Sequence, residues 1–479
     1  MSKAQMVLAT ALMLGAPAAA AQAGKAEPVI PFQLTRLALD LSVDYEHATI
    51  AGSATLTVRN VSSRSAAVVP LLLNRLMTVS SIHDAAGNRV PFDQRFALFT
   101  DDSARQVNAI TVRPKRPVAR GDSITIALSY GGTLVGYVET GSLYIRDHVD
   151  SEFTIIREDA YAFPGLGVLS AATDRAAPRG DFTFAARVTV PAGQVVAMGG
   201  ESGEPARRDS LVTWSYRSVM PVPFLNITIA PYRVMSAAGS RIFYFPADSD
   251  GARMVQHAID GAMTKFTAWF GPLGRPATLT VMEIPNGFGS QGSLAAGILQ
   301  TAAAFHDASE LPQLYHELSH LWNVTDLEHP SPRWNEGLAM FLQYRMAAEL
   351  DGWHNWDKVL DWFTARALRD CAPPARCDSV PLASYGTAGL TDDSYTVGML
   401  MFYSLYQVLG AARFDSAYGA FYQQYREKGA TTADLAAAIR SADPASAPLL
   451  QDWLVTARWY ARLKSGETLS QMIEGYRAH

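Results

Sequence analysis

Three residues in the stretch His316-Glu317-Leu318-Ser319-His320 have the types and spacing needed for chemistry at a metal ion. Because positions four apart lie on the same face of a helix, His316 and His320 can bind one ion together. Glu317 then lies beside the pair, where its carboxylate can take a proton from a water molecule that the ion activates. The alternative is a pair of surface histidines with no metal between them.

A catalytic zinc site needs a third protein ligand and an open position for water. The candidate is Glu336, within the Trp-Asn-Glu-Gly stretch at 334–337. A polar segment with prolines at 326–332 is typical of a turn, and apolar spacing at 338–346 predicts a second helix. We therefore predict one zinc ion per chain, held by His316, His320 and Glu336 on a helix–loop–helix. In the alternative, Glu336 is a first-turn charge favoured by the helix dipole.

The residues His-Glu-Leu-Ser-His-Leu-Trp-Asn at 316–323, followed by Trp-Asn-Glu-Gly at 334–337, resemble the zinc signature of a known family. This is the aminopeptidase N family of gluzincin metallopeptidases. The resemblance implies that His316, His320 and Glu336 bind zinc and that Glu317 is the general base. The interval between His320 and Glu336 is shorter than is usual in the family, which indicates a shortened, divergent member that retains its ligands.

The family also has a tyrosine, in a Tyr-x-Lys-Gly setting, that donates a hydrogen bond to the oxyanion of the tetrahedral intermediate. Tyr395 matches that position, although Val397 stands where the lysine usually is. One positioned donor of this kind contributes about 2–4 kcal/mol to stabilising a transition state. Tyr385 is the reserve candidate, and the alternative for Tyr395 is an ordinary core or surface tyrosine.

Aminopeptidases of this family have a Gly-x-Met-Glu-Asn motif before the zinc helix, and its glutamate holds the free α-amine of the substrate. The corresponding stretch here, 291–297, contains no acid. Gly292, Ser293 and Leu294 are our candidate substrate-binding residues. The amine could find another carboxylate, for example Glu283, or the enzyme could act on blocked N-termini or cut internally.

The glycine-rich stretch at 287–292 also fits a dinucleotide-binding pattern, but no alternating series of strands and helices surrounds it. It predicts instead an edge strand at the cleft, because glycines let the backbone of a peptide approach closely and pair with the strand. A flexible turn is the alternative.

The rest of the chain predicts an α+β multidomain protein. Alternating apolar residues from Pro31 to about Met235 predict an antiparallel β sandwich or saddle. A strand, a long helix that ends at Gly271 and a buried strand precede the zinc motif and predict a thermolysin-like catalytic domain. Helical spacing predicts a short C-terminal helical region, with one helix at 449–463 and another that Thr432 can cap. The predicted boundaries are 1–23 for a signal peptide, 24–235 for the β domain, 236–410 for the catalytic domain and 411–479 for the helical region.

The first residues have the features of a signal peptide. Lys3 supplies the positive charge, Met6–Ala20 the apolar stretch, and the residues at 21–23 the cleavage site, with an uncleaved anchor as the alternative. We expect an exported protein, periplasmic or secreted, with no integral membrane span after cleavage. The only two cysteines, Cys371 and Cys377, are expected to form a local disulfide.

A formal net charge of −5 over 479 residues, without a long basic run, gives no reason to expect nucleic acid as a partner. The sequence predicts an exported zinc metallopeptidase that cleaves peptide or protein substrates. It would be aminopeptidase-like but without the usual amine-binding glutamate. An endopeptidase, a zinc hydrolase acting on a non-peptide bond and an inactive peptide-binding homologue are the alternatives.

Overall fold

The computed structural model describes residues 29–134, 145–176, 180–274, 278–328, 335–372, 375–388, 390 and 393–477. The predicted signal peptide, its cleavage site and the loop at 329–332 lie outside these residues.

The strands of the described residues fall mostly in the first two thirds of the chain. They are β1 Phe32–Asp44, β2 Thr49–Asn60, β3 Val69–Asn74, β4 Met77–Asp84, β5 Phe92–Leu98, β6 Gln106–Val112, β7 Ser123–Gly132, β8 Thr154–Arg157, β9 Gly165–Leu166, β10 Thr183–Pro191, β11 Val195–Ala197, β12 Glu201–Ser202, β13 Ala206–Arg208, β14 Leu211–Arg217, β15 Asn226–Ala230, β16 Arg233–Ala237, β17 Ser240–Tyr244, β18 Leu279–Ile284, β19 Gln291–Ser293 and β20 Gly297–Thr301.

The helices follow mostly after the strands. They are α1 Ala171–Ala176, α2 Ser249–Phe270, α3 Ala303–His306, α4 Leu311–Ser319, α5 Asn335–Leu350, α6 Trp356–Asp370, α7 Tyr385–Ala388, α8 Asp393–Leu409, α9 Ala411–Tyr425, α10 Thr432–Ala442, α11 Ala447–Leu450, α12 Arg458–Lys464 and α13 Leu469–Arg477. Short 3-10 turns lie at Glu158–Ala160, Ala308–Glu310, His320–Trp322, Leu382–Ser384 and Pro444–Ser446, and a π-helical turn lies at Gln451–Val455.

The part of the chain from β1 to β15, called the β half below, is built on an eight-stranded sheet. Its order is β12-β14-β10-β1-β2-β7-β4, and β13 also pairs with β14. In β1, Leu37, Leu39 and Leu41 are buried while their neighbours are more exposed, as alternation along a strand requires. Smaller sheets, β5-β6-β3-β9 and β11-β15-β8, complete this half. The predicted β architecture is confirmed, although β1 and β10 pair in parallel where an antiparallel arrangement was expected.

Gly52 shows why the β1–β2 pairing needs a glycine. Glycine is common in turns, but Gly52 lies within β2, opposite Leu41. A Cβ there would stand 2.0 Å from the carbonyl oxygen of Asp40, so any larger residue would separate the two strands.

The part of the chain from β16 onward, which contains the predicted catalytic domain and is called the catalytic half below, contains a five-stranded sheet in the order β16-β17-β18-β20-β19. β17, β18 and β20 run parallel, and β19 pairs antiparallel with β20 at the edge. The helix α2 packs on this sheet through Val255, Ile259 and Phe266 and ends at Gly271, as the sequence predicts. The predicted boundary between residues 235 and 236 falls inside β16, and the domain limits stay a prediction.

A small apolar cluster joins the two halves. It contains Phe153 and Ile155 of the β half together with Met282, Phe288 and Leu299 of the catalytic half. The two halves therefore share buried apolar surface, which holds β18 and β20 of the catalytic half against the β half.

The C-terminal region is helical as predicted, with two corrections. The spacing at 449–463 favours one helix, but the chain forms α11, the π-helical turn and α12, with extended backbone at Thr456. Thr431, and not Thr432, caps α10, because its hydroxyl accepts from the backbone of Asp434.

The predicted disulfide between Cys371 and Cys377 is confirmed, with the two Cα atoms 4.8 Å apart. None of the described helices is both long enough and apolar enough to cross a membrane.

Candidate metal centre and active site

The predicted ligand atoms converge on one point between α4 and α5. The Nε2 atom of His316 lies 3.2 Å from Oε2 of Glu336, and the Nε2 atom of His320 lies 3.4 Å from the same oxygen. Their imidazole rings are 4.8 Å apart, because His316 stands in the last turn of α4 and His320 opens the 3-10 turn that follows. Glu336 is the second residue of α5 and faces back to α4.

These separations fit a tetrahedral zinc ion. Zinc ligands at about 2.0–2.1 Å from a tetrahedral centre stand about 3.3–3.4 Å from one another. The two measured distances to Glu336 lie close to that value. Two imidazole nitrogens and one carboxylate oxygen also form a donor set typical of catalytic zinc. The residues present therefore fit the predicted ion.

The charges of the cluster favour a cation. Burial lowers the pKa of His320, but the Glu336 carboxylate outweighs burial and raises that pKa to about 9. Burial acts to raise the pKa of Glu336, yet the rings of His320 and His316 hold it well below its ordinary value. The carboxylate thus stabilises positive charge between the rings, which is what a divalent ion supplies.

Asn323 orients one of the histidines. Its side-chain amide lies 2.8 Å from Nδ1 of His320. The amide atom at this distance is the nitrogen Nδ2; with the amide rotated by 180°, its oxygen would accept the Nδ1 proton and leave Nε2 for the ion. Asn335 has a different contact, because its amide donates to the backbone oxygen of Val324. The Nδ1 atom of His316 is buried and has no hydrogen-bond partner among the described residues.

Glu317 lies between the ligands and the edge strand β19. A Cβ built on Gly292 would stand 2.7 Å from Oε2 of Glu317, so only glycine lets β19 approach this carboxylate so closely. Burial raises the pKa of Glu317 above its ordinary value, and the nearby histidines offset this only in part. Of the predicted edge strand at 287–292, only residues 291 and 292 belong to β19, whereas residues 286–288 form a turn, the alternative interpretation. The strand therefore presents a short length of backbone beside the candidate base.

Tyr395 reaches the same cleft because α5 and α8 cross at two glycines. A Cβ on Gly337 would stand 2.5 Å from the Cα atom of Gly398, so the two backbones are in direct contact. Glu336 directly precedes Gly337, and Tyr395 lies one turn before Gly398. The helix crossing therefore brings the side chains of Glu336 and Tyr395 into the cleft. Tyr385, the reserve candidate, is fully buried and is not among the described residues that line the cleft.

The cleft has a volume of about 620 Å³. Its walls combine the predicted metal ligands, Glu317 and Tyr395 with polar and apolar side chains that the sequence analysis did not single out. These are Phe224, Ser290, Gln291, Gln313, Met340 and Gln343, together with the backbone of Gly289. Helical spacing could have identified three of them, because Gln313 stands three residues before His316, and Met340 and Gln343 stand four and seven residues after Glu336.

The three candidate substrate-binding residues have different positions. Gly292 lines the cleft, whereas Ser293 and Leu294 are not among its described lining residues. The hydroxyl of Ser293 accepts from the backbone of Ala296, and Leu294 packs against the main core of the catalytic half. Glu283 also lies outside the cleft lining, buried within β18.

A carboxylate of the β half contacts Gln291 of the cleft wall, although Asp159 itself is not among the described lining residues. The amide of Gln291 donates to Oδ2 of Asp159 at 2.6 Å, and Asn226 donates to the oxygen of the same amide at 2.9 Å. Asp159 follows β8, far from β19 in sequence, so neither spacing nor composition indicates that it stands here.

The fold has solved counterparts. An M1 zinc metallopeptidase from Deinococcus radiodurans, in a variant bound to a Tyr-Ser-Ala substrate, aligns with a TM-score of 0.63 at 20% identity, over 89% of this chain and 95% of that one. The fold is that of M1 zinc metallopeptidases. The M1 fold is also seen in the same enzyme without substitution, at a TM-score of 0.61 and 21% identity, over 89% of this chain and 95% of that one.

Leukotriene A4 hydrolase from Saccharomyces cerevisiae aligns at a TM-score of 0.63 and 14% identity, over 89% of this chain and 68% of that one. No protein-family profile matches the sequence, and no curated protein matches it either. The M1 fold confirms the predicted α+β architecture of an N-terminal β domain, a catalytic domain and a helical region.

Proposed function

We propose that this chain is an exported, zinc-dependent metallopeptidase, a shortened relative of the aminopeptidase N family. One observation carries the proposal. Three convergent ligand atoms, the buried carboxylate of Glu317 and the side chain of Tyr395 lie in one cleft whose wall is an edge strand. The Deinococcus radiodurans neighbour with the same fold is a zinc metallopeptidase by name, which supports peptide substrates and one zinc ion at His316, His320 and Glu336.

The residues of the cleft divide the work of peptide hydrolysis. Zinc, when bound by the three ligands, supplies a Lewis acid that lowers the pKa of a water molecule and polarises the scissile carbonyl. Glu317 takes the proton of the attacking water and returns it to the leaving amine. Tyr395 donates a hydrogen bond to the oxyanion, and β19 aligns the substrate backbone by strand pairing.

Asp159 is our candidate for the carboxylate that binds the free α-amine, and such a role would make the enzyme an aminopeptidase rather than an endopeptidase. Its carboxylate is attached to the cleft wall through Gln291 and can pair with a free α-amine that enters along β19. Such a carboxylate would replace the glutamate that the stretch at 291–297 lacks. The endopeptidase remains the second candidate, because Leu294 and its neighbours offer no charge at the position where the acid was expected.

A matched pair of peptides, one with a free and one with an acetylated N-terminus, tests both candidates on zinc-loaded protein. Glu317→Gln serves as the blank, and we expect it to lower kcat by about a thousandfold or more while zinc stays bound. An aminopeptidase trims only the free peptide, whereas an endopeptidase cuts both. Cleavage of neither peptide above the blank contradicts the peptidase proposal and favours a non-peptide hydrolase or an inactive binding protein.

Asp159→Asn then tests the origin of amine recognition. We expect it to raise KM for the free peptide and to leave any cleavage of the acetylated peptide unchanged. Glu152→Gln, which removes an exposed carboxylate from the segment just before β8, is the control. An unchanged KM in Asp159→Asn would place the amine site elsewhere.

A further inference from the structure

A second group of buried polar side chains lies outside the cleft, around Glu283. This residue stands within β18 and is fully buried. Its Oε2 atom accepts from the backbone of Phe245 at 2.7 Å, and its Oε1 atom has no hydrogen-bond partner among the described residues. One carboxylate oxygen is therefore left without a donor in the interior.

Two further side chains converge on Glu283. Asp248 precedes the first residue of α2, a position where acids usually cap the helix, yet its carboxylate makes no capping hydrogen bond. Instead, its Oδ1 atom lies 2.9 Å from Nε2 of His306, at the end of α3. One ligand atom each from Asp248, Glu283 and His306 lies within 4.8 Å of the others.

Gln300 provides an independent observation on the neighbouring strand. It is the register partner of Glu283 in the parallel pair of β18 and β20, so both side chains lie on the same face of the sheet. Gln300 is fully buried, and neither its amide oxygen nor its amide nitrogen has a hydrogen-bond partner among the described residues. A buried amide without partners destabilises the fold unless a ligand or water molecule satisfies it.

Two carboxylates so close together need a positive charge or a shared proton. Burial raises the pKa of Glu283 to about 9, and the Asp248 carboxylate adds to this rise. A proton between the carboxylates would satisfy one oxygen, and His306 already pairs with Asp248, but the amide of Gln300 would still have no partner among the described residues. A cation between the three ligand atoms would neutralise both carboxylates and could also accept the amide oxygen of Gln300 as a ligand.

We propose that Asp248, Glu283 and His306 form a second site for a divalent transition-metal ion, with the amide oxygen of Gln300 as an additional ligand. Two carboxylates and an imidazole suit Zn²⁺ or Mn²⁺, whereas Ca²⁺ and Mg²⁺ prefer oxygen ligands alone. The ion would tie the start of α2 and the end of α3 to β18 and β20. Its role would be structural, because none of the three residues lines the catalytic cleft.

Metal content of the full chain tests this site. The protein is stripped with a chelator, reloaded separately with Zn²⁺ and Mn²⁺, and analysed for bound equivalents per chain. We expect two equivalents of Zn²⁺ in the wild type, one in Glu283→Gln and one in His306→Ala. Asp250→Asn is the matched control, since it removes an exposed carboxylate from the same end of α2, and it should keep both equivalents.

The variant His320→Ala removes a ligand of the candidate catalytic centre, so that metal binding at the second site can be measured by itself. In that background, added Zn²⁺ or Mn²⁺ should still raise the melting temperature, and the further change Glu283→Gln should abolish the increase. Glutamine has the shape of a protonated glutamate, so the variant is expected to fold. A single equivalent in the wild type that is lost in His320→Ala, or a second equivalent that survives in Glu283→Gln, overturns the proposal. The first result would indicate a shared proton between Asp248 and Glu283.

Discussion

At the scale of single residues, the contact between Gly292 and Glu317 links substrate alignment to the candidate base. The missing side chain of the glycine leaves room for the carboxylate, and the same strand offers its backbone to the cleft. A substitution of Gly292 or of Glu317 is therefore expected to alter both substrate alignment and proton transfer. Gly292 can be used to test this link, although it has no reactive group.

Gly292→Ala is predicted to lower kcat/KM by about a hundredfold, because a displacement of about 1 Å at a catalytic group has an effect of that size. Steady-state kinetics with the free peptide measures this loss, and zinc content should stay at the wild-type value. Gly165→Ala is the control, since an added Cβ meets no atom within 4 Å there. Unchanged kinetics in Gly292→Ala would show that Glu317 can move aside without cost.

Tyr395→Phe is predicted to lower kcat by about 10²–10³-fold with little change in KM, as expected for a hydrogen bond made mainly in the transition state. Tyr385→Phe removes the same hydroxyl from a buried tyrosine whose oxygen has no partner among the described residues. It should leave kcat unchanged. Equal effects of both variants would argue against oxyanion stabilisation by Tyr395.

At the scale of secondary-structure elements, the crossing of α5 and α8 brings Glu336 and Tyr395 into the same cleft. Gly337 and Gly398 meet at this contact, which a side chain at Gly337 would prevent. The metal ligand and the candidate oxyanion donor therefore depend on one packing contact between two helices.

Gly337→Ala is predicted to destabilise the fold by about 1–3 kcal/mol, because it overpacks the crossing. Separation of the helices should also weaken zinc binding and lower kcat, which chelator competition and kinetics measure. Gly475→Ala is the matched control in another helix, where the added Cβ would lie 3.6 Å from the Arg462 side chain. A Gly337→Ala protein with native zinc affinity would contradict the proposed dependence.

Local patterns were enough to predict much of this site. The four-residue spacing of His316 and His320 and the early position of Glu336 in its helix both come from helical periodicity. The close pair of cysteines was likewise a local feature. The break at Thr456 was missed because the apolar spacing on either side is the same with or without a π-helical turn.

Contacts between distant parts of the chain could not be predicted in this way. Asp159 reaches Gln291 across 132 positions, and Gly337 meets Gly398 through the packing of two helices. Periodicity identifies which face of an element is apolar, but it does not identify the partner of that face. The group of Asp248, Glu283 and His306 could not be predicted for the same reason, since its members come from separate elements of the chain.

At the scale of the whole molecule, the shared apolar cluster makes the β half and the catalytic half depend on each other. Phe153 packs edge-to-face on Phe288 at 5.1 Å, and this contact lies between the two halves. Removal of the Phe153 ring would leave a cavity between the two halves and lower the free energy of unfolding by about 3–5 kcal/mol.

We therefore predict a single thermal transition for the protein, and Phe153→Ala should shift it to lower temperature as a whole. Calorimetry checks the single transition, and circular dichroism in the helical and strand regions checks that the variant shifts both signals equally. Phe96→Ala, at an exposed position of β5, is the control. Separate transitions, with only the β signal shifted in Phe153→Ala, would show that the halves unfold independently.

The short edge strand β19 has a consequence for what the cleft can distinguish. It offers three residues for pairing, so a bound peptide would be aligned over only a few positions. Successive side chains of such a peptide point in opposite directions, and every second one faces the interior of the cleft. Cleavage rates across a peptide library should therefore vary strongly at alternate positions and weakly at those between them.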